Sequence, residues 1–280
     1  MTIKNQIKTA VLLALLTALL LWIGSLFGKT GFYFALAFVG IMNFASYWFS
    51  DKIVLWMYRA KEAKQSEHSK LYKIVKEVAK LSNLPMPKVY VIPTNSPNAF
   101  ATGRSPNHAA VAATEGILKV LNEEELKGVI AHEFAHIKNR DILISTVAGT
   151  IAGIISYIGH MFMWSGLYGR DDDSRGNIVS LLFLAIITPI IASMIQLAIS
   201  RSREYFADET GARNVKNGHS LADALEKIEK NTNINPMRFG NQATAHLFIS
   251  NPFRGQTFLT LFMTHPSTKS RVERLRAMKF

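Results

Sequence analysis

The distribution of charge along this chain constrains its fold more than any other feature. Residues 9–27 carry no charge, and neither do residues 30–50, 142–169 and 176–200. A helix of about 20 apolar residues crosses a hydrocarbon core. One such run could be the buried helix of a soluble protein, whereas four together describe a membrane protein. Lys4 and Lys8 precede the first run as they would in a signal peptide. That run of 19 residues is longer than a usual h-region, however, and no A-x-A-like site closes it. Residues 9–27 and 32–49 therefore read as a helical hairpin, with Gly28-Lys29-Thr30-Gly31 as its turn.

The net charge of +12 needs a source. No arginine-rich or aromatic-rich cluster points to nucleic acid. Extra Lys and Arg on the cytoplasmic flanks of membrane helices explain it instead. Lys4 and Lys8 flank the first span, and Lys52, Arg59, Lys61, Lys64 and Lys70 follow the second. The turn between them has only Lys29. Both ends of this hairpin are thus expected in the cytoplasm. The connection 164–177 balances Arg170 and Arg175 against Asp171, Asp172 and Asp173 and fits the outer side, whereas Arg201 and Arg203 return the chain inside. Residues 52–141 and 201–280 then share one side and can form the two parts of a single soluble domain, split by a second transmembrane hairpin over 142–200 and preceded by the hairpin of 1–51. The absence of cysteine excludes a disulfide framework and any thiolate ligand or nucleophile.

Between the spans the pattern is α-rich α+β. Leu71, Ile74, Val75, Val78 and Leu81 predict a helix over 67–82, ended by Pro85 and Pro87. Val89-Tyr90-Val91-Ile92 and Ala109–Thr114 read as short strands, and Ser96-Pro97-Asn98 as a turn. Asn122, three residues before Glu125, forms a capping box that opens a helix through Leu126, Val129 and Ile130. Helices are expected over 201–216, 220–231 and 267–280.

The capped helix contains His132-Glu133-Phe134-Ala135-His136. Histidines four apart lie above one another on one helix face, so their imidazoles can share a metal ion. Zinc suits imidazole and keeps an open position for catalysis. Glu133, between them, is placed to take a proton from water activated there. A polar surface face is the blander reading of the same residues. A third ligand is required, and Glu204 in Ser202-Arg203-Glu204-Tyr205-Phe206-Ala207-Asp208 is the favoured one, with Glu209 and Glu226 as alternatives. Glu204 and Asp208 are also four apart, so one can bind metal while the other accepts the second N–H of a ligand histidine. Alternatively Glu204 pairs with Arg201 or Arg203 on a solvated helix.

These two motifs, interleaved with hydrophobic spans, resemble the HtpX family of bacterial membrane zinc proteases, relatives of the CAAX prenyl proteases. The resemblance covers essentially the whole chain. It implies a gluzincin-type domain with one zinc ion on His132, His136 and Glu204, and Glu133 as the base. It places Asn98, Ala99 and Phe100, followed by Ala101, beside a substrate edge strand. It makes His265 and Arg271 a pair that steadies the transition state, where the blander readings are a surface histidine before Pro266 and a solvated basic helix. It further implies a multi-pass protein of the bacterial inner membrane with its catalytic domain facing the cytoplasm, cleaving damaged membrane proteins under stress.

Two rival readings are a non-catalytic scaffold, which would not need Glu133, and a transporter, which would need charged groups inside the spans. Both are disfavoured. The expected reaction is peptide-bond hydrolysis by zinc-activated water, with the substrate backbone paired to an edge strand formed by part of 109–114. Expected partners are protein or peptide substrates and the bilayer, with no nucleic acid. His68, His108, His219 and His246 are read as exposed polar residues, His160 as facing a neighbouring helix or the interface, and Asp171–Asp173 as a solvated loop.

Overall fold

The computed structural model describes residues 2–25, 28–147, 151, 201–240, 242–253 and 266–280. Most of the third apolar run, all of the fourth, His160, Asp171–Asp173 and His265 lie outside the described residues.

Helix α1 (Thr2–Ser25) is followed by α2 (Gly28–Met57). Gly28 takes φ 75°, which a glycine adopts without a Cβ penalty, and the chain reverses there. The four residues expected as the turn belong instead to α2, which begins at Gly28 itself. Asn43 Nδ2 donates to Thr17 Oγ1 at 2.9 Å and ties the pair together. Phe34, Ile41 and Phe44 stand exposed along α2, as a lipid-facing surface would have them. Among the described residues, α2 is the one helix long and apolar enough to cross a membrane. It also runs past the expected boundary at residue 51, and its last turn is buried in protein: Val54, Leu55 and the following Tyr58 are all core residues.

The sheet has four strands in the order β1 (Lys61–Glu62), β2 (Lys88–Ile92), β4 (Ala109–Thr114), β3 (Ala99–Gly103). β4 runs parallel to β2 and antiparallel to β3, with Ala101 opposite Val111. Strand side chains alternate between faces, and two clusters follow from that. Val89, Ala99, Val111 and Ala113 join one cluster with α3 (Ser69–Ser82) and α5 (Glu123–Lys138). Ile92, Phe100, Ala110 and Ala112 join the other with Tyr58, Leu247 and Phe248. Coverage of both faces explains why β4 reads as an unbroken apolar run rather than an alternating one. It also places β4 in the interior of the sheet. The edge strand expected within 109–114 is instead β3, because the chain hairpins back through 104–108 to lay β3 outside β4.

The Asn122 side chain accepts from Glu125 N, and the Glu125 side chain accepts from Asn122 N, so the expected capping box is formed. After α4 (Glu115–Val120) and α5, residues 141–147 are again helical, and helices α6 (Arg201–Val215), α7 (His219–Ile234) and α8 (Thr268–Arg276) follow. Leu221, Leu225 and Ile228 of α7 and Val272 and Leu275 of α8 enter the same cluster as Leu126, Ile130 and Phe134 of α5. Gly211 of α6 is pressed against α5: a Cβ there would lie 2.8 Å from His132 N. Glu204, Asp208 and Gly211 stand at i, i+4 and i+7, on one face of α6. The close approach at Gly211 therefore turns both carboxylates toward α5.

Candidate metal centre and active site

His132 and His136 occupy successive turns of α5, with their Nε2 atoms 3.2 Å apart. Glu204 of α6 faces them, its oxygens 3.7 Å from His132 Nε2 and 3.5 Å from His136 Nε2. The outer nitrogens are occupied by carboxylates, Asp208 at 2.9 Å from His132 Nδ1 and Asp141 at 3.5 Å from His136 Nδ1. Both rings thus present Nε2 to one point. Ligand nitrogens at about 2.0–2.1 Å in a tetrahedron lie roughly 3.3 Å apart, so the observed spacing fits a metal without rearrangement of α5. One ligand atom from each of His132, His136 and Glu204 falls within 4.8 Å of the others. Glu209 pairs with Arg213 and Glu226 with Arg276 on exposed surfaces, so neither joins the cluster.

Glu133 lies between the two histidines in sequence and is buried beside them. Its Oε2 accepts from Ala101 N at 2.8 Å. That backbone N–H points away from β4, so Glu133 is fastened to the outer edge of β3. Burial, partly offset by the His136 charge and reinforced by Glu204, pushes the Glu133 carboxyl up to about 8. Burial lowers the pKa of His132 despite the Asp208 carboxylate. At His136 burial acts the same way, but Asp141, Glu204 and Glu133 outweigh it and raise the ring to about 9. Burial would raise Asp208 as well, and the Arg271 guanidinium overrides it, holding the carboxyl near about 2.

Arg271 is 2% exposed. Its Nε and Nη2 donate to the two oxygens of Asp208 at 2.8 and 2.7 Å, and its Nη1 donates to Ile249 O at 2.8 Å. It stands behind His132, bonded through Asp208. The open space beside the metal cluster, about 380 Å³, is lined by Ala101, Glu133, Ser145, His246 and Phe248 together with the cluster itself. Of the segment 98–101, Ala101 alone lines this cleft. Asn98 Nδ2 donates to Ser250 O at 2.6 Å, Ala99 O accepts from Ile249 N at 3.1 Å, and the Phe100 ring packs 5.1 Å from that of Phe248.

Two residues of this neighbourhood escape the sequence reading. His246 is not exposed. It is 7% accessible, lines the cleft and has Nε2 3.1 Å from Ser145 O. Its signal was its setting in Ala245-His246-Leu247-Phe248-Ile249, a histidine inside an apolar stretch. Asp141 was passed over as the last charge before an uncharged run. An acid at such a boundary is costly unless it has a partner, and here that partner is His136. His68 is half-buried, and His108 and His219 are exposed as expected.

Two metal-spaced histidines on one helix, a carboxylate from a second helix and a glutamate on a sheet edge define a metallopeptidase site. The model of Peptidase family M48 matches residues 64–279, and the chain belongs to that family of metalloprotease hydrolases. Over 280 residues it is 50% identical to the Protease HtpX homolog of Syntrophobacter fumaroxidans, covering 98% of this chain and 99% of that one. The Protease HtpX homolog of Pyrococcus furiosus is 52% identical over 279 residues, covering 99% and 96%. Among solved structures, the crystal structure of S. mikatae Ste24p superposes with a TM-score of 0.52 at 18% identity, over 98% of this chain. The chain spans 66% of the length of Ste24p, and this likeness is one of fold.

Proposed function

We propose that this chain is a membrane-anchored zinc endopeptidase of broad sequence tolerance, acting in quality control of damaged membrane proteins under stress. The observation that carries the reading is the convergence of three ligand atoms beside a glutamate fastened to the edge of a sheet. His132, His136 and Glu204 would hold one zinc ion. When bound, zinc would supply Lewis acidity that polarises a scissile carbonyl and acidifies a water. Glu133 takes the proton and delivers it to the leaving amine. Its anchored Oε2 fixes the carboxylate, leaving Oε1 for proton transfer.

The substrate backbone pairs with the outer edge of β3. Ala99 C=O is engaged by Ile249 and Ala101 N–H by Glu133, so Ala101 C=O and Gly103 N–H offer the next positions. Such pairing reads main chain and tolerates many side chains. Arg271 acts through Asp208 as a positioning residue, and His265 keeps the role the resemblance implies, steadying the transition state. The apolar, outward-facing α2 and its basic flanks support a bacterial inner-membrane location with the catalytic domain in the cytoplasm. The multi-pass arrangement rests on the four uncharged runs.

The test is proteolysis of an unfolded protein such as β-casein by the purified full chain in detergent. Cleavage should require zinc, stop with a chelator and return when zinc is restored. Chelator-insensitive cleavage, or none from zinc-loaded protein, would overturn the proposal.

A further inference from the structure

We propose that Asp141 and Arg203 form a second positioning relay, which orients His136 as Asp208 and Arg271 orient His132. The inference rests on the metal site proposed above and deepens it.

The two relays have the same composition. Each ligand histidine turns its Nδ1 to an aspartate, and each aspartate faces an arginine. In the first, the distances are 2.9 Å from His132 to Asp208 and 2.7 Å from Asp208 to Arg271. In the second they are 3.5 Å from His136 to Asp141 and 3.8 Å from Asp141 to Arg203. Asp141 is 5% exposed. The Nη atoms of Arg203 are buried and make no hydrogen bond among the described residues. A buried guanidinium is strongly disfavoured without a counter-charge, and among the described residues the carboxylate within ion-pair range of this one is Asp141. Arg203 directly precedes Glu204, so the turn of α6 that supplies the third ligand also supplies the outer member of this relay.

The backbone places Asp141 for the purpose. Helix α5 stops at Lys138, and Arg140 adopts φ 57°, a left-handed conformation uncommon for a residue with a Cβ. That turn brings Asp141 back beside the ring of His136, five residues earlier. The Asp141 carboxylate turns to His136 Nδ1 and Arg203 Nη1. Its effect passes through His136, by fixing which nitrogen carries the proton and how the ring is rotated. The contrast in distance has a meaning too. His136 is the more accessible ligand, with 16% of its side chain exposed against 1% for His132. The tight relay fixes the buried ligand, and the looser one lets the accessible ligand settle as metal enters.

The experiment uses the full chain purified in detergent. Zinc affinity is measured by competition with a chromophoric chelator, and the visible spectrum is recorded with cobalt in place of zinc. Asp141→Ala should weaken zinc binding by roughly 10- to 100-fold, the range for losing such an outer partner. Asp141→Asn, which keeps an acceptor, should recover part of that loss. Arg203→Met should weaken binding in the same direction by less. The cobalt spectrum should shift in Asp141→Ala, a change that a merely structural role would not produce, while the metal-free melting temperature falls because Arg203 loses its counter-charge. Wild-type affinity and spectrum in both Asp141→Ala and Arg203→Met would overturn the relay. If Asp141→Ala does not fold, Arg203→Met alone decides by the same two readouts. Failure of the wild type itself to bind zinc would instead overturn the metal site proposed above, which separates the two.

Discussion

At the scale of single residues, Glu133 carries the sharpest expectations. It is not among the ligands, so Glu133→Gln should keep zinc while cleavage falls by about 10²- to 10⁴-fold, the usual contribution of general acid–base catalysis. Metal content and turnover measured on one sample check both halves. The same variant has a consequence for stability. Glu133 is raised from 4.5 to about 8 in the folded, metal-free protein. A raised carboxyl costs nothing below its unfolded value and destabilises increasingly as pH climbs toward the folded one. Metal-free Glu133→Gln should therefore gain stability over the wild type between pH 4.5 and about 8. The advantage should grow by on the order of 1 kcal/mol per pH unit and then level off. Melting curves across that range, with chelator present, measure it. The pairs His132/His136 and Glu204/Asp208 were legible in the sequence because spacing of four on a helix is a local property, whereas their convergence across α5 and α6 is not. Asp141 and His246 were not. Their roles depend on a left-handed turn at Arg140 and on a fold-back of residues 242–249 toward the cleft, and neither leaves a periodic trace.

At the scale of elements, the site is a junction between α5 and α6, and Gly211 sets how closely they meet. Its missing Cβ would fall 2.8 Å from His132 N and 2.9 Å from Ala131 C, both backbone atoms that cannot move alone. Gly211→Ala must push α6 outward. The expected result is a weaker zinc affinity together with a lower melting temperature, although residue 211 touches no ligand atom. A chelator-competition titration beside a melting curve would show whether both move. Helix α5 was readable from its capping box and α3 from its amphipathic spacing, since both signals are local. Strand β3 was not. Ala99-Phe100-Ala101-Thr102-Gly103 is short, alanine-rich and fully buried, and alanine has little strand preference of its own. Its identity as the edge follows from β4 also pairing with β2 on its other side, a crossover that no local pattern records. Asn139 and Arg140 interrupt the helix after Lys138, before residues 141–147 resume it.

At the scale of the whole molecule, α2 ends inside the protease core. Tyr58 is fully buried. Its hydroxyl bonds Thr244, and its ring packs 4.8 Å from Phe248 and 5.9 Å from Phe100. Tyr58→Ala should cost about 3–5 kcal/mol, as large aromatic deletions do, and a melting curve in detergent would register it. The membrane topology has its own test, simplified by the absence of cysteine. Lys29→Cys at the start of α2 and Lys64→Cys beyond its end should react with an impermeant thiol reagent from opposite sides of a vesicle. Reaction of both from one side would remove the proposed orientation.

The continuity of α2 also makes the molecule a gauge of height. A helix is stiff, and seven residues separate Asp51, the first charge after the apolar run, from Tyr58 in the core. At 1.5 Å per residue that is about 10 Å. Phe100, in contact with Tyr58, belongs to the strand on which a substrate would lie. The cleft is then held at a fixed altitude over the plane where Asp51 emerges. A polypeptide rooted in the same bilayer reaches it only if about three or more extended residues protrude. Intact membrane proteins with tight turns would pass beneath the blade, and those with frayed or unfolded loops would not.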